Sequence, residues 1–302
     1  MKIGLIDVDG HNFPSIPLMK LSAWHKARGD IVQWYEPLLT GHCDKVYMSK
    51  VFTFTPDFPY HINASEVVRG GTGYFYPDGG MTLSDEIEHI YPDYSIYPQY
   101  ANIAYGFLTR GCPRGCPFCL VGEKEGLQSK KVASLSEFFT DQKHIILLDP
   151  NITACKDWRE LFHQLIESKA WISFSQGLDI RTMNEERAKL LMQMKIKQIH
   201  FAWDNYQDKD MIIPKFQKFK EITKWDRRKM GVYVLTNFNT SIEEDLSRIY
   251  TLRELGYWPY VTIYEKDTLS RSHIIKKMAR WVNNRIIFES VKSFDDYLKK
   301  PR

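Results

Sequence analysis

Short apolar runs and one amphipathic stretch predict a small α/β layer in the first third of the chain. Its strand candidates are residues 2–8, 31–35, 45–48 and 66–69. Apolar positions at helical spacing predict a helix over residues 16–27, after the first strand. Such a layer carries its ligand crevice at the carboxyl ends of the strands. Residues 75–98 are rich in Pro, Gly and Tyr without a sustained period, which predicts a connecting segment and a domain boundary near residue 98.

From residue 102 onward, apolar strands alternate with amphipathic helices. The predicted strands cover residues 103–108, 144–149, 171–175, 198–203, 231–235 and 260–264. The predicted helices cover residues 134–139, 156–168, 184–194, 209–225 and 241–255. This alternation is typical of right-handed βαβ units, so we expect a parallel sheet.

Composition limits the class of protein. A length of 302 residues allows one large domain or two of ordinary size, and 43% hydrophobic residues are enough for a packed core. No apolar run is long enough to cross a membrane, and the N-terminus is too acidic for a signal peptide. We therefore expect a cytoplasmic protein without a membrane partner. The net charge of +4 permits an anionic substrate or nucleic acid but indicates neither.

Three of the five cysteines lie close together after the strand predicted over 103–108. Residues 111–121 read Gly-Cys-Pro-Arg-Gly-Cys-Pro-Phe-Cys-Leu-Val, with Cys112, Cys116 and Cys119 in C-x3-C-x2-C spacing. Glycines before the first two cysteines permit the tight turns that bring three thiolates together. Three ligands without a nearby fourth Cys or His favour an iron–sulfur cluster with one open iron over a zinc site, which takes four ligands. Reduced core cysteines are the remaining alternative.

These residues resemble the C-x3-C-x-aromatic-C motif of the radical S-adenosylmethionine (radical SAM) superfamily, with Phe118 at the aromatic position. The resemblance implies a [4Fe–4S] cluster on the three cysteines, with S-adenosylmethionine chelated to the fourth iron through its amino and carboxylate groups. Reductive cleavage would then give a 5′-deoxyadenosyl radical that abstracts hydrogen from a substrate. The resemblance also implies a partial (β/α)6 barrel of TIM type over residues 99–268 and a one-electron reductant of the flavodoxin or ferredoxin type. We predict a helical tail over residues 269–302.

In a parallel barrel the active site lies at the carboxyl ends of the strands, which selects the polar residues there. The candidates for contact with S-adenosylmethionine are Phe118, Asp149, Asn151, Gln176, Arg181, Asp204, Thr236 and Asn237. By the resemblance, the backbone of Phe118 lies near the adenine. Asp149 stands where the family often has Gly-Gly-Glu, which binds the methionyl amino group, and a turn or helix-capping role is the alternative. Asp204 is expected near ribose or substrate hydroxyls.

The other candidates follow the later strands. Gln176 and Arg181 are expected to contact the ribose or the carboxylate of the cofactor, and a pair between Arg181 and Asp179 is the alternative. The segment that begins with Thr236 and Asn237 resembles, in position, the family's Gly-x-Pro-Gly-Glu-Thr loop. Its glycines are absent, so packing of the adenine on this loop does not follow directly.

The N-terminal region, residues 1–98, is similar to the Rossmann-like, cobalamin-binding-like domain that precedes the barrel in one branch of the superfamily. The tripeptide Asp-Gly-His that ends at His11 matches the first half of that family's D-x-H-x-x-G loop, whose histidine ligates cobalt. Pro14 replaces the glycine, which removes backbone freedom. Cobalamin is therefore disfavoured as a cofactor, with His11 as its candidate axial ligand. Residues 70–73 are expected to form a tight turn without a ligand.

The leading hypothesis is a radical SAM enzyme with an unknown substrate, on which methyl transfer and other C–H activation are both open. The alternatives are a non-catalytic iron–sulfur sensor or electron carrier and a zinc-containing nucleic-acid-binding module. Isolated Cys43 and Cys155 are expected to be buried free thiols. In the basic segment, residues 215–229, apolar residues at three-residue spacing favour a solvated helix face over a phosphate-binding patch, so nucleic acid is not indicated as a partner.

Overall fold

The structure is a computed structural model that describes residues 1–10 and 12–299. The chain is mixed α/β with parallel sheets, as expected. It divides into two compact units, Met1–Ser175 and Gln176–Arg302. The candidate cobalt ligand His11 lies outside the described residues, and the predicted domain boundaries stay predictions. Within the described ranges, no helix has the length and apolarity to cross a membrane.

The first unit carries nine strands and four helices within its described residues. In chain order they are β1 (Lys2–Asp7), α1 (Ile16–Ala27), β2 (Ile31–Trp34), β3 (Cys43–Ser49), β4 (Ala64–Gly70), α2 (Asp85–Glu88), β5 (Ile103–Gly106), β6 (Thr109–Arg110), α3 (Val121–Glu125), β7 (Lys130–Lys131), β8 (His144–Leu147), α4 (Trp158–Glu167) and β9 (Trp171–Phe174).

The N-terminal sheet of this unit is parallel and has the strand order β2-β1-β3-β4. The strands and the helix predicted for this region are all present. Helix α1 packs Leu18 and Leu21 against Ile3 and Leu5 of β1, because its apolar positions recur at helical spacing. The strand order reverses between β1 and β3, which is where an open α/β sheet forms a ligand crevice.

The second sheet of the first unit has β8 paired in parallel with both β5 and β9. Helix α4 follows β8 and buries the face that the sequence predicts: Trp158, Leu161, Phe162 and Leu165. The helix predicted over residues 134–139 is instead a 3-10 turn at Leu135–Glu137. The Glu137 carboxylate accepts the Ser134 N–H at 2.7 Å, and so short a segment gains too few hydrogen bonds to nucleate an α-helix.

The second unit carries six helices and four strands within its described residues. In chain order they are α5 (Glu185–Gln193), β10 (Lys195–Ile196), β11 (Ile199–Ala202), α6 (Lys209–Thr223), β12 (Met230–Thr236), α7 (Ile242–Glu254), β13 (Trp258–Ile263), α8 (Ile274–Asn283), α9 (Arg285–Ser290) and α10 (Phe294–Lys299). The strand β12 pairs in parallel with both β11 and β13.

The basic segment coincides with the end of α6 and the residues after it. Phe216 and Phe219 are buried as predicted, and both rings contact the ring of Phe201 in β11. Lys218 is exposed, whereas Lys215 donates a hydrogen bond from Nζ to the carbonyl of residue 183 at 3.2 Å. The apolar side of this helix is therefore core, and a solvated polar side without a nucleic-acid contact stays a prediction.

Candidate metal-binding loop and strand-end residues

The three clustered cysteines lie on one loop that is closed at its base. Strands β6 and β7 pair in antiparallel fashion, so residues 111–129 form a loop between them, which we call the cysteine loop. The N–H of Cys112 donates to the carbonyl of Gly126 at 3.1 Å. The loop therefore leaves β6 and returns to β7 in a defined register, and its first cysteine is tied to its return segment.

Glu125, on α3, holds the entrance of the cysteine loop. Its carboxylate accepts hydrogen bonds from the Arg110 guanidinium at 3.0 Å and from the Gly111 N–H at 3.2 Å. Gly111 has φ +82°, and a Cβ built there would lie 2.3 Å from the carbonyl oxygen of Gln128. Only glycine fits this position, because both the backbone angle and the close approach exclude a side chain.

The cysteine side chains differ in exposure. Cys112 and Cys116 are half-buried, and Cys119 is exposed. Phe118, which precedes Cys119 in the chain, is half-buried. The Cys119 N–H donates to the Cys116 carbonyl at 2.9 Å, and α3 begins two residues later. Among the described residues, no group of three or more His, Cys, Asp and Glu side chains lies close enough together to hold a metal ion.

The donor set nevertheless fits an iron–sulfur cluster in its chemistry. A [4Fe–4S] cluster that leaves one iron open for another ligand is held by three thiolates, and this short loop supplies three thiols. The loop also presents one sulfur, that of Cys112, to a buried amide donor: the Nδ2 of Asn151 lies 3.4 Å from Cys112 Sγ. Hydrogen bonds of this kind to cysteine sulfur are a means by which proteins tune a metal site.

Asp149 directly follows β8 and is bound to the strand segment that leads into the cysteine loop. Its carboxylate accepts the Leu108 N–H at 3.2 Å, the Thr109 N–H at 2.5 Å and the Thr109 hydroxyl at 2.7 Å. The side chain is buried, with 3% of the residue exposed. Burial raises the pKa of Asp149 to about 6, although these donors act in the opposite direction. Both carboxylate oxygens are therefore engaged by backbone and hydroxyl donors of β6 and the residue before it.

Asn151 contacts the cysteine loop at two places. Besides the bond from its amide to Cys112, its main-chain carbonyl accepts the hydroxyl of Ser129 at 2.8 Å, at the end of the loop. The hydroxyl of Thr153 donates to Asn151 Oδ1 at 3.0 Å, so the amide nitrogen is the atom left to face the sulfur. The turn after β8 thus holds the cysteine loop at its first cysteine and at its last residue.

Exposed aromatic side chains lie on the loops that follow β3 and β4. Phe52 and Phe54 stack with ring centroids 5.1 Å apart, and Phe54 is 81% exposed.

On the loop after β4, Thr72 accepts a hydrogen bond from Lys124 Nζ at 2.8 Å. Because Lys124 lies on α3, the carboxyl edge of the N-terminal sheet is in contact with the helix that follows the cysteines.

Two of the candidates lie at the start of the second unit. Gln176 is exposed. Arg181 donates from Nε to Asp179 Oδ1 at 2.8 Å and from a terminal nitrogen to Asp208 Oδ2 at 3.2 Å. The Arg181–Asp179 pair is therefore formed, as the alternative interpretation expected, and the charge of Arg181 is balanced by two carboxylates.

Asp204 follows β11 and lies beside an arginine that the sequence did not single out. Burial raises the pKa of the Asp204 carboxyl, and the positive charge of Arg248 opposes this shift. Arg248 is fully buried and donates to the carbonyls of Trp203 at 2.6 Å and Leu235 at 2.7 Å. It also pairs with buried Asp245. One guanidinium thus ties together the carboxyl ends of β11 and β12.

The side chains of Thr236 and Asn237 bind the neighbouring strand. The Thr236 hydroxyl donates to the carbonyl of Thr262 at 3.1 Å, and the Asn237 amide donates to the carbonyl of Tyr264 at 2.8 Å. Asn237 has φ +63°, a left-handed conformation that Asn tolerates better than most residues. Both side chains therefore hold the end of β12 to β13 and its continuation.

The crevice between β1 and β3 is crossed by bonds within the chain. Asp9 accepts the Val51 N–H at 2.5 Å, and Ser15 donates to Ser49 at 2.9 Å with both hydroxyls buried. A Cβ at Gly71 would lie 2.3 Å from the carbonyl oxygen of residue 50, so the glycines after β4 allow that loop to pack directly on the end of β3. The side chains of Asp9, Ser15 and Ser49 at this edge of the sheet are thus hydrogen-bonded within the chain.

Several residues of the site were absent from the candidates drawn from the sequence, among them Thr109, Glu125, Ser129, Thr153 and Arg248. No motif or period marks them, because each acts through a partner that is distant in sequence or on an irregular loop. No protein-family model matches this chain, and no curated protein matches it either. The interpretation of the site therefore depends on its own residues.

Proposed function

We propose that this protein is a member of the radical SAM superfamily and an enzyme in which Cys112, Cys116 and Cys119 hold a [4Fe–4S] cluster. The observation that carries the proposal is the cysteine loop: a C-x3-C-x-aromatic-C segment closed by β6 and β7 and bound by two buried side chains from the end of the adjacent parallel strand. When bound, such a cluster supplies the electron that cleaves S-adenosylmethionine to a 5′-deoxyadenosyl radical for hydrogen abstraction from a substrate.

The contacts assign different tasks to the strand-end residues. Asn151 positions the cysteine loop, since Cys112 and Ser129 of the loop engage it, and Asp149 holds β6, the strand that leads into the loop. The backbone of Phe118 and the exposed amide of Gln176 remain the proposed contacts to S-adenosylmethionine. Arg181 is paired within the second unit, so we propose that it shapes its own loop rather than binding a carboxylate.

The remaining candidates are part of the proposal with altered roles. Thr236 and Asn237 bind carbonyls of the neighbouring strand, so they would present backbone rather than side chains to the adenine. Asp204 keeps its proposed role near a hydroxyl, because a carboxyl oxygen can accept a hydrogen bond from one.

The proposed architecture is a Rossmann-like N-terminal domain followed by a partial (β/α)6 barrel. The parallel order β2-β1-β3-β4 supports the first part, and two groups of three parallel strands, one in each unit, support the second. Cobalamin is left out of the proposal, since Pro14 replaces the glycine of the family's cobalamin-binding loop. A reductant of the flavodoxin or ferredoxin type is needed, and a thiolate cluster suits the reducing cytoplasm.

Anaerobic reconstitution with iron and sulfide tests the proposal. The wild-type protein should bind about four iron atoms per chain, as a [4Fe–4S] cluster requires, and should release 5′-deoxyadenosine when dithionite and S-adenosylmethionine are added. Cys116→Ala should abolish both, whereas Cys155→Ala, at a buried cysteine outside the loop, should retain both. Iron without release of 5′-deoxyadenosine would favour a sensor or electron carrier. Stoichiometric zinc without iron in the anaerobically purified protein would favour a zinc module.

A further inference from the structure

The side-chain amide of Asn151 donates to the sulfur of a clustered cysteine, Cys112. Its Nδ2 lies 3.4 Å from Cys112 Sγ, which is within the range of an N–H···S hydrogen bond. The residue is 4% exposed, so water competes little for its amide. In such surroundings the electrostatic effect of a hydrogen bond is larger than at the protein surface.

The orientation of this amide is set by the residues around it. Thr153 is fully buried and donates its hydroxyl to Asn151 Oδ1 at 3.0 Å, which directs the nitrogen toward Cys112. The main chain of Asn151 is fixed by Ser129, whose hydroxyl donates to its carbonyl at 2.8 Å. The donor is therefore preorganised and needs no rearrangement to meet a sulfur that becomes more negative.

We infer that Asn151 sets the reduction potential of the cluster on the cysteine loop, an inference that rests on the proposed function. Reduction adds one negative charge to the cluster, and part of it resides on the cysteine sulfurs. A hydrogen bond to sulfur stabilises the reduced form more than the oxidised form, so it raises the potential. Asn151 is thus a positioning and tuning residue: it binds neither substrate nor S-adenosylmethionine, and it makes the cluster easier to reduce.

The test uses the full chain, reconstituted anaerobically, with the midpoint potential followed through the electron paramagnetic resonance signal of the reduced cluster. Asn151→Leu removes the donor, and Asn151→Asp keeps the size but replaces the donor with a negatively charged acceptor. Gln142→Leu is the matched control, because Gln142 is also a buried amide but bonds to Tyr91 and Thr140. Iron content is measured in every sample.

We expect Asn151→Leu to bind the cluster and to show, at a fixed poise, a ratio of reduced to oxidised cluster about tenfold lower than wild type, a shift of about 59 mV for one electron. Asn151→Asp should shift at least as far in the same direction, and Gln142→Leu should match the wild type. A purely structural role would change the iron content and leave the potential of the retained cluster unchanged.

Wild-type potentials in both Asn151 variants would overturn the inference while leaving the proposed function intact. Loss of the cluster in both variants, with retention in Gln142→Leu, would also overturn the tuning role in favour of a role in assembly. Absence of iron and sulfide in the wild type itself would reject the proposed function, and the inference with it. These three results differ in which sample fails, so they are distinguishable.

Discussion

The two units use the polar residues at their strand ends in different ways. In the first unit, Asn151 follows β8 and bonds to the cysteine loop at Cys112, and Asp149 bonds to Thr109 of β6, the strand that leads into that loop. In the second unit, Thr236 and Asn237 follow β12 and bond to carbonyls of the strand next to them. The same position in the fold thus supports a loop in one unit and reinforces the sheet in the other.

The position of a residue at a strand end is therefore not sufficient to define a ligand contact. The rule that active sites lie at the carboxyl ends of parallel strands indicates where a side chain emerges. The hydrogen-bond partner of that side chain depends on the groups around it. A main-chain carbonyl that is unpaired at the end of a neighbouring strand can accept a hydrogen bond from a hydroxyl or an amide, and so competes with a ligand. In the first unit, Asn151 bonds instead to Cys112 and Asp149 to Thr109.

Arg248 gives the largest expected effect on the second unit. Arg248→Met leaves Asp245 buried without its partner and removes the bonds to the carbonyls of Trp203 and Leu235. We expect a loss of about 3–5 kcal/mol in the free energy of unfolding, measured by urea denaturation. The control Arg228→Met removes an exposed arginine that pairs with Asp226, and it should lower the free energy of unfolding far less than Arg248→Met.

The double variant Arg248→Met, Asp245→Leu sharpens this test. If the loss arises from an unpaired buried carboxylate, removal of both charges should restore much of the stability. A double variant no more stable than Arg248→Met would mean that the bonds from the guanidinium to the strand-end carbonyls are the main contribution. In either case the guanidinium serves the sheet, in contrast with the residues after β8.

Gly111 gives the next largest effect, and it concerns the first unit. A side chain at Gly111 meets a left-handed backbone and a carbonyl oxygen 2.3 Å from its Cβ, so Gly111→Ala should destabilise the loop by about 3 kcal/mol. Gly115 is also left-handed, with φ +56°, but the nearest atom to its Cβ would be a leucine methyl at 3.4 Å. We expect Gly115→Ala to cost only about 1 kcal/mol.

Native-state hydrogen exchange of the amides in β6 and β7 measures this difference directly. Gly111→Ala should reduce their protection much more than Gly115→Ala. Equal effects of the two substitutions would contradict the view that the loop is held at its base. The first unit would then no longer differ from the second in the way described above.

Much of the secondary structure could be predicted because burial imposes a period on the sequence. Helix α4 shows this clearly: Trp158, Leu161, Phe162 and Leu165 recur at helical spacing, and all four are buried. The segment over residues 134–139 shows the limit, since its Ser and Glu can close a single 3-10 turn as well as begin a helix. A period cannot separate these two outcomes in six residues.

The cysteine loop could be recognised from spacing, but the residues that hold it could not. The sequence predicts either a cofactor contact or a turn or helix-capping role for Asp149, whereas its partners, Leu108 and Thr109, lie about forty positions earlier in the chain. The sequence predicts a cofactor contact for Asn151, not a hydrogen bond to Cys112. Neither contact depends on a local pattern. Each follows from the parallel pairing of β5 with β8, which brings the end of one strand beside the residues that follow the other.

Asp149 gives the smallest of these effects, and the pKa of its carboxyl group defines how the free energy of unfolding changes with pH. Its pKa in the folded protein is about 6, above the ordinary value of 3.8, so the folded state binds the proton more tightly than the unfolded state. Stability from this group therefore increases as the pH falls through 6 toward 4. Between pH 7 and pH 5, the wild type should gain about 1 kcal/mol in the free energy of unfolding relative to Asp149→Asn, which lacks this titration.

Urea denaturation of both proteins at the two pH values measures this difference. Asp93→Asn is the control: burial raises the pKa of Asp93, but bonds from Lys26 and Ser22 outweigh it, and the net shift is downward. For Asp93 the wild type should lose stability relative to the variant only below the ordinary pKa of 3.8, so the difference between these two proteins should stay nearly constant from pH 7 to pH 5. A pH-independent difference for Asp149→Asn would mean that the carboxylate stays charged in the fold. Its hydrogen bonds to Leu108 and Thr109 would then outweigh burial, and the cysteine loop would be held by a charged group at every pH in this range.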